Sequence, residues 1–311
     1  MNSYYSKLLK VLPEGNLERR TDITTGHEAI YKDGNLLFSD SDDAVSKPDL
    51  TESIVAEPHL VLFGSGHVGK ALYDLAVLQD MKVTVFDSRS ELLTQDRFPK
   101  ATRIVGEYDE ILSKDYEDFH APYYCIFTHG HLHDEQCLLY ALRHPHAYIG
   151  MIGSKAKVAH CMEIVRDSDI TDDMLTKLHT PIGLSINAVT PQEIAISIMA
   201  QIVSVFRTDK NAVTIDTQIV RKAASERGIM ARIIKKDGSS PRSVGSMIFV
   251  TENDFIGTVG GGAVERIAID RSRELLKKNE RLLVEHYSLK PTGPLNMTCG
   301  GENTIMYKLI V

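Results

Sequence analysis

The sequence predicts an α/β chain with two cores, a parallel-sheet domain followed by a smaller α+β domain, on three observations. Between residues 58 and 208, short apolar runs alternate with helix-length stretches, the pattern of parallel strands joined by right-handed crossovers. The first of these runs, His59-Leu60-Val61-Leu62-Phe63, leads directly into Gly64-Ser65-Gly66-His67-Val68-Gly69 and then into a helical pattern. Beyond residue 209 the strands follow one another more closely, separated by turn signals. With 311 residues, 43% hydrophobic and 25% charged, the chain is long enough to bury both cores.

In chain order, residues 1–57 mix short apolar pieces with turn signals such as Lys32-Asp33-Gly34-Asn35, and the stretch from Ser39 to Pro48 is polar. They read as an N-terminal appendage and linker. The domain at 58–208 takes strands at 60–63, 82–86, 102–105, 123–128 and 147–152. Its closing helix starts at Thr190-Pro191-Gln192-Glu193, with Thr190 as N-cap, Pro191 at N1 and Glu193 at N3. Ile194, Ala195, Ile198, Met199, Ile202 and Val203 then fall on one apolar stripe. The domain at 209–311 opens with a helix at 216–227 stopped by Gly228. Strands follow at 229–234, 246–250, 255–259, 282–287 and 304–311, with Thr251-Glu252-Asn253-Asp254 as a hairpin turn and 263–278 as a helix.

Composition excludes several classes. A net charge of −7 argues against nucleic-acid binding, which needs a clustered basic face. No apolar run reaches the length of a membrane span and no apolar segment follows Met1 as in a signal peptide, so the expected setting is cytoplasmic, with no membrane contact. Cys125, Cys137, Cys161 and Cys299 have neither zinc-type nor disulfide-framework spacing.

The first glycine loop has a dinucleotide-binding pattern. Gly64 allows the tight turn, Gly66 lets backbone approach a pyrophosphate, and Gly69 lets the helix pack close, so the domain is Rossmann-like. The second strand ends at Asp87, about twenty residues on, where a ribose-binding acid belongs. Asp87 disfavours a 2′-phosphate, while nearby Arg89 leaves NAD and NADP both open. The loop equally serves packing or another phosphorylated ligand, and His67 then only starts a helix facing solvent. Thr128-His129-Gly130-His131-Leu132-His133-Asp134 follows the fourth strand. His129, His131 and His133 have the chemistry for metal binding or proton transfer. A solvated loop with Asp134 at the next helix start fits the same pattern. His179 reads as a turn residue.

A second constellation lies in the smaller domain. Ser239, Ser240 and Arg242 offer hydroxyls and a guanidinium suited to phosphate. Gly260-Gly261-Gly262 supplies N–H donors at a helix start, with Glu265 in the first turn. Cys299 sits beside Gly300 and Gly301, where backbone N–H groups stabilise a thiolate whose soft sulfur suits sulfur transfer or a soft metal. Each has an ordinary counterpart in a turn, a surface charge or a small buried hydrophobe.

Gly238-Ser239-Ser240-Pro241-Arg242, Gly257-Thr258-Val259-Gly260-Gly261-Gly262-Ala263-Val264-Glu265 and Met297-Thr298-Cys299-Gly300-Gly301 together resemble the signature blocks of the XdhC/CoxI family, accessory factors of xanthine dehydrogenase and related molybdenum hydroxylases. Leu62 to Gly69, Tyr148 to Lys155 and Pro181-Ile182-Gly183-Leu184 are similar to its Rossmann half. Here that half precedes the signature half, the reverse of the family's usual order. The resemblance implies a factor that binds the molybdenum cofactor (molybdopterin), protects it while a cysteine desulfurase installs its terminal sulfur, and delivers it to the apo-hydroxylase. Such a chaperone acts in maturation and insertion rather than as a turnover enzyme. It implies that Ser239, Ser240, Arg242, Gly260, Gly261, Gly262, Glu265, Gly300 and Gly301 hold phosphate or pterin, with Cys299 near molybdenum. The competing reading is an NAD(P)-dependent oxidoreductase acting on a small molecule, with the 129–134 segment moving protons. A third is a protein-binding adaptor. A homodimer is expected because the second domain is small and its loops need cover.

Overall fold

The computed structural model describes the chain except residues 1, 16, 42–44, 46, 115, 117–118, 120–121, 132, 154, 167, 210, 239–242 and 289–300. The N-terminal segment forms α1 (Ser3–Val11), β1 (Leu17–Thr21), β2 (Glu28–Lys32), β3 (Asn35–Ser39) and β4 (Leu50–Ala56). Next come β5 (His59–Phe63), α2 (His67–Leu78), β6 (Lys82–Asp87), β7 (Thr102–Val105), α3 (Tyr108–Ile111), β8 (Pro122–Ile126), α4 (Asp134–Arg143), β9 (Tyr148–Met151), α5 (Lys155–Arg166), β10 (Leu178–His179) and α6 (Pro191–Phe206). The remainder holds β11 (Val213–Ile215), α7 (Thr217–Ser225), β12 (Gly228–Asp237), β13 (Met247–Val250), β14 (Phe255–Gly257), α8 (Gly262–Lys278), β15 (Leu282–Ser288) and β16 (Glu302–Ile310).

These elements make two compact units, Glu57–Lys210 and a second built from Met1–Ala56 together with Asn211–Val311. This corrects the expectation of a separate N-terminal appendage and linker. β4 pairs in parallel with β11, Ile54 opposite Val213 and Ala56 opposite Ile215, in a sheet ordered β11-β4-β1-β2-β3. Charge reinforces the join. Arg232 of β12, 1% exposed, donates to Glu52 at 2.8 Å, Glu28 at 2.9 Å and Thr21 at 2.9 Å. Arg19 donates to the same Glu52 oxygen at 3.0 Å. Buried charges persist when paired in this way. The partners lie far apart in sequence, beyond the reach of local patterning.

In the unit Glu57–Lys210 every ladder is parallel and the strand order is β10-β9-β8-β5-β6-β7. That is the doubly wound Rossmann order, reversing direction between β5 and β8. β5 is buried at all five positions, as a central parallel strand requires. Leu72 and Ala76 of α2 and Ala195, Ile198 and Ile202 of α6 pack on one face, and Cys137, Leu138 and Ala141 of α4 on the other. The N-terminus of α6 is the capping box read from sequence: Thr190 Oγ1 accepts from the Glu193 amide at 3.3 Å, and Glu193 accepts from the Thr190 amide at 2.9 Å. Val203, assigned to the apolar stripe, is instead exposed.

The other unit carries a fully antiparallel sheet, β14-β13-β12-β16-β15. Val264, Ala268, Leu275 and Leu276 of α8 cover one face over Ile229, Ala231, Ile233, Ile305 and Tyr307. Strand alternation turns Arg232 to the opposite face. The β13–β14 hairpin closes on Thr251, whose amide donates to the Asp254 carbonyl at 2.9 Å while its hydroxyl accepts from the Asp254 amide at 3.1 Å. No helix among the described residues is long and apolar enough to cross a membrane.

Candidate functional site

The first glycine loop is packed by the protein itself. Gly64 has φ +122°, and a Cβ there would meet the Phe127 carbonyl oxygen at 2.4 Å. A Cβ on Gly69 would meet the Gly64 carbonyl oxygen at 2.2 Å. Gly66 differs, since a Cβ there meets nothing within 4 Å, and no side chain caps α2 from this position.

Asp87, 2% exposed, is fully engaged. Its Oδ2 accepts from the Ser65 amide and hydroxyl, both at 2.7 Å, and from Arg89 Nη2 at 2.7 Å. Its Oδ1 accepts from the Arg89 amide at 3.0 Å and Arg89 Nε at 2.9 Å. Burial alone would raise this carboxyl, but the hydrogen bonds from Arg89 and Ser65 outweigh it and hold the pKa at about 2. The acid placed by sequence at the ribose position thus fastens the loop to the next strand. Beside it, a cleft of about 320 Å³ is lined by His67, Lys70, Asp74, Arg97, Gln192 and Ile196. Lys70 is held by Asp74 at 2.6 Å, and Arg97 donates to the Ser65 carbonyl at 3.2 Å.

The histidine segment lies beyond β8, on the other side of the sheet's reversal point. Asp134 is fully buried and accepts from the Thr128 amide at 3.0 Å and hydroxyl at 2.6 Å, so it pins the turn. His133 stacks on Tyr108 with 4.6 Å between ring centres and contacts Gln136 at 3.1 Å. His129 is exposed; the His131 side chain lies outside the described residues. No group of three metal-ligating side chains occurs among the described residues. His179 ends β10 and stacks on Tyr148.

The second constellation is organised by register. Asp237 pairs with Glu302 and Ser288 pairs with Glu302, so β12 and β15 end where β16 begins. Arg232 opposite Met247, and Ile248 opposite Gly257, put the start of β13 and the end of β14 at the same edge. Five strand ends therefore point to the same end of the sheet, those of β13 and β14 set back from those of β12, β15 and β16. Ser239, Ser240, Arg242, Cys299 and Gly300 themselves lie outside the described residues. Gly301 is described and buried.

At this edge Gly260, Gly261 and Gly262 all have positive φ, at 129°, 69° and 60°, a path that favours glycine. Glu265 accepts the Thr258 hydroxyl and the Gly261 amide, the latter at 3.3 Å, and Thr258 accepts the Gly260 amide at 3.1 Å. Glu265 therefore shapes the loop from inside. Gly261, the N-cap of the seventeen-residue α8, has no atom within 4 Å of a would-be Cβ. Among the described residues, apart from its chain neighbours, nothing covers that position.

Sequence reasoning missed Asn303. It is 1% exposed, and neither its Nδ2 nor its Oδ1 has a hydrogen-bond partner among the described residues. Asn is depleted in strands, and this one closely follows the Gly300-Gly301 block, which is the signal that could have found it.

Comparison with known proteins agrees with this division. A family model described as the XdhC Rossmann domain matches residues 60–202, and one described as the XdhC and CoxI family matches 222–288, in that order. A relative in Escherichia coli K12, "Uncharacterized protein YqeB", is 30% identical over 148 residues, 48% of this chain and 27% of that protein. A relative in Bacillus subtilis 168, named as a probable subunit of xanthine dehydrogenase, is 28% identical over 152 residues, 49% of this chain and 44% of that protein. The chain thus spans less than half the length of either curated relative. A crystal structure named as a xanthine dehydrogenase from Bacillus halodurans aligns at 24% identity and TM-score 0.46, over 66% of this chain and 63% of that one. With the two family models in succession over most of its length, the chain belongs to the XdhC and CoxI family.

Proposed function

We propose that this chain is an accessory factor for a xanthine dehydrogenase-type molybdenum hydroxylase. It holds the molybdenum cofactor at the α8 edge of the antiparallel sheet while a cysteine desulfurase installs the terminal sulfur, then passes it to the apoenzyme. The observation that carries this reading is that five strand ends point to one end of the antiparallel sheet, and these are the strands that flank all three signature segments. Family membership and the name of the Bacillus subtilis relative support it.

The residues described at this edge fit such cargo. Among the described residues, nothing beyond its chain neighbours lies beside Gly261 at a helix N-terminus, and the buried Asn303 amide has no hydrogen-bond partner. Arg242, Ser239 and Ser240 are the chain's groups for the cofactor's phosphate. Cys299, flanked by Gly300 and Gly301, is the soft ligand for the metal side. Glu265 keeps the glycine path open from within. A cytoplasmic setting and a homodimer belong to the same proposal.

Native mass spectrometry of protein purified anaerobically from a cofactor-producing host tests this, together with oxidation of any bound pterin to its fluorescent form. The expected result is bound pterin, reduced by Cys299→Ala and by Arg242→Ala. Pterin-free protein that oxidises NADH with a small carbonyl substrate would overturn it.

A nucleotide in the Rossmann unit is the second reading, favoured by the uncapped start of α2 at Gly66. Asp87 weighs against a dinucleotide, because a ribose would have to displace Ser65 or Arg89 from a saturated carboxylate. Titration with NADH, followed by its fluorescence, decides it.

A further inference from the structure

Helix α6 has two apolar faces. Ala195, Ile198, Met199 and Ile202 are buried in the core of the Rossmann unit, while Ile196, Ala200 and Val203 are exposed. A helix apolar all round belongs to an interior, and exposed apolar side chains are ordinary only when scattered. These are not scattered. Five of the twelve large exposed apolar side chains among the described residues, Leu184, Ile186, Val189, Ile196 and Val203, fall within 184–203. The segment before the helix is fastened along it, since the Leu184 amide donates to the Ser197 carbonyl at 3.1 Å and the Gly183 amide to Gln201 Oε1 at 2.9 Å. The apolar surface is therefore preformed.

The charges along this face select its occupant. Glu193, Ile196, Ala200, Val203 and Arg207 are all exposed and follow one another at spacings of three, four, three and four, so they form one stripe with an acid at one end and a base at the other. Turned end for end, the stripe matches itself. With Ala200 opposite Ala200, Glu193 comes level with Arg207 of a second copy, and Arg207 with its Glu193. The capping amides of Val189 and Thr190 both bind Glu193 Oε2, so Oε1 is the atom for this pairing. Ala200 is small enough for two helices to cross closely, and antiparallel helices set opposite dipole ends side by side. A uniformly acidic or basic partner would match only one end.

We propose that α6 is a self-docking surface, on which two copies of this chain pair antiparallel through the stripe from Glu193 to Arg207 about a two-fold axis at Ala200. The inference rests on the homodimer of the reading above, though not on its cofactor, and gives that dimer an interface on the Rossmann unit.

Sedimentation velocity of the full chain over a dilution series reads the association, with thermal unfolding of each variant as the folding control. Ile196→Glu, at a position 52% exposed, is expected to weaken dimerisation about a hundredfold while the chain still unfolds cooperatively. Arg207→Glu is expected to weaken it about tenfold, because like charges then meet at both ends. Mixed with Glu193→Arg, it is expected to form the heterodimer in preference to either homodimer, since both ends become attractive. Oxidative cross-linking reads the direction. Ala200→Cys is expected to join two copies, whereas Gln192→Cys, about 24 Å from its counterpart in the antiparallel pair, is not; wild type alongside sets the background from the native cysteines. A dimer undisturbed by Ile196→Glu overturns the interface while leaving a homodimer standing. Cross-linking through Gln192→Cys makes the pairing parallel and overturns the inference. Monomeric wild type overturns interface and homodimer together, and leaves the cofactor to the pterin measurement. If that monomer binds the apo-hydroxylase and Ile196→Glu abolishes the complex, the face belongs to a different protein.

Discussion

At 64–69 the outer glycines, Gly64 and Gly69, are hemmed in by the protein's own backbone and only Gly66 is open, whereas at 260–262 all three glycines have positive φ and Gly261 meets no described atom within 4 Å. The acids beside them differ in the same sense. Asp87 is saturated by five donors that lock the loop to a strand, while Glu265 uses one oxygen to hold a glycine path. A glycine-rich turn before a helix is thus two different devices. One brings a helix against a sheet, and the other keeps side chains away from a helix end. Each has one open glycine at its helix start, Gly66 in the first and Gly261 in the second, and the signature segments belong to the unit of the second.

Substitutions by alanine break or sharpen that contrast. Gly69→Ala has the largest expected effect, about 3–4 kcal/mol of stability lost from the Rossmann unit, because its Cβ would lie 2.2 Å from the Gly64 carbonyl oxygen. Hydrogen exchange resolved by unit checks it, and pterin held by the other unit should survive wherever the variant remains folded. Acid comes next. Because Asp87 is held at about 2, against 3.8 for the unperturbed group, its contribution of about 2 kcal/mol is fully present above pH 3.8. It falls away as pH drops through 2. NMR titration of the Asp87 carboxyl alongside exchange of the Ser65 amide reads this, and an ordinary titration near 3.8 would undo the clasp.

Gly261→Ala should cost about 2 kcal/mol, because φ 69° with ψ −179° is a conformation essentially confined to glycine, yet strip most of the bound pterin. Full stability loss with ligand retained would reverse its assignment. Gly66→Ala is the smallest, within about 0.5 kcal/mol, since its φ of −65° and open surroundings suit alanine. Should Gly66→Ala rather than Gly261→Ala release the ligand, the two loops exchange roles.

Local chemistry was legible in the sequence. The five Rossmann strands, the Thr190 capping box, the Thr251 hairpin and the helix after Gly260–Gly262 all follow from period, capping and turn residues acting over a few positions. What depends on distant partners was hidden. The β4–β11 pairing, the Arg232 bridge to Glu28 and Glu52, and the Ser65 clasp on Asp87 are choices made by side chains that meet only after folding. Asn303 stayed unread for the opposite reason. An asparagine in a strand just after Gly300-Gly301 was a signal, but that its amide has no partner among the described residues shows only in the fold.

The β4–β11 ladder also sets a clock. Ile54 leaves the ribosome roughly 160 residues before its neighbour Val213, a delay of roughly 10–30 s at ordinary synthesis rates. During that interval the outer edge of β4 has no strand beside it, and Glu28 and Glu52 wait for Arg232. The nascent N-terminal sheet is therefore a template held open while an entire domain is synthesised, vulnerable to any other extended segment that reaches it first.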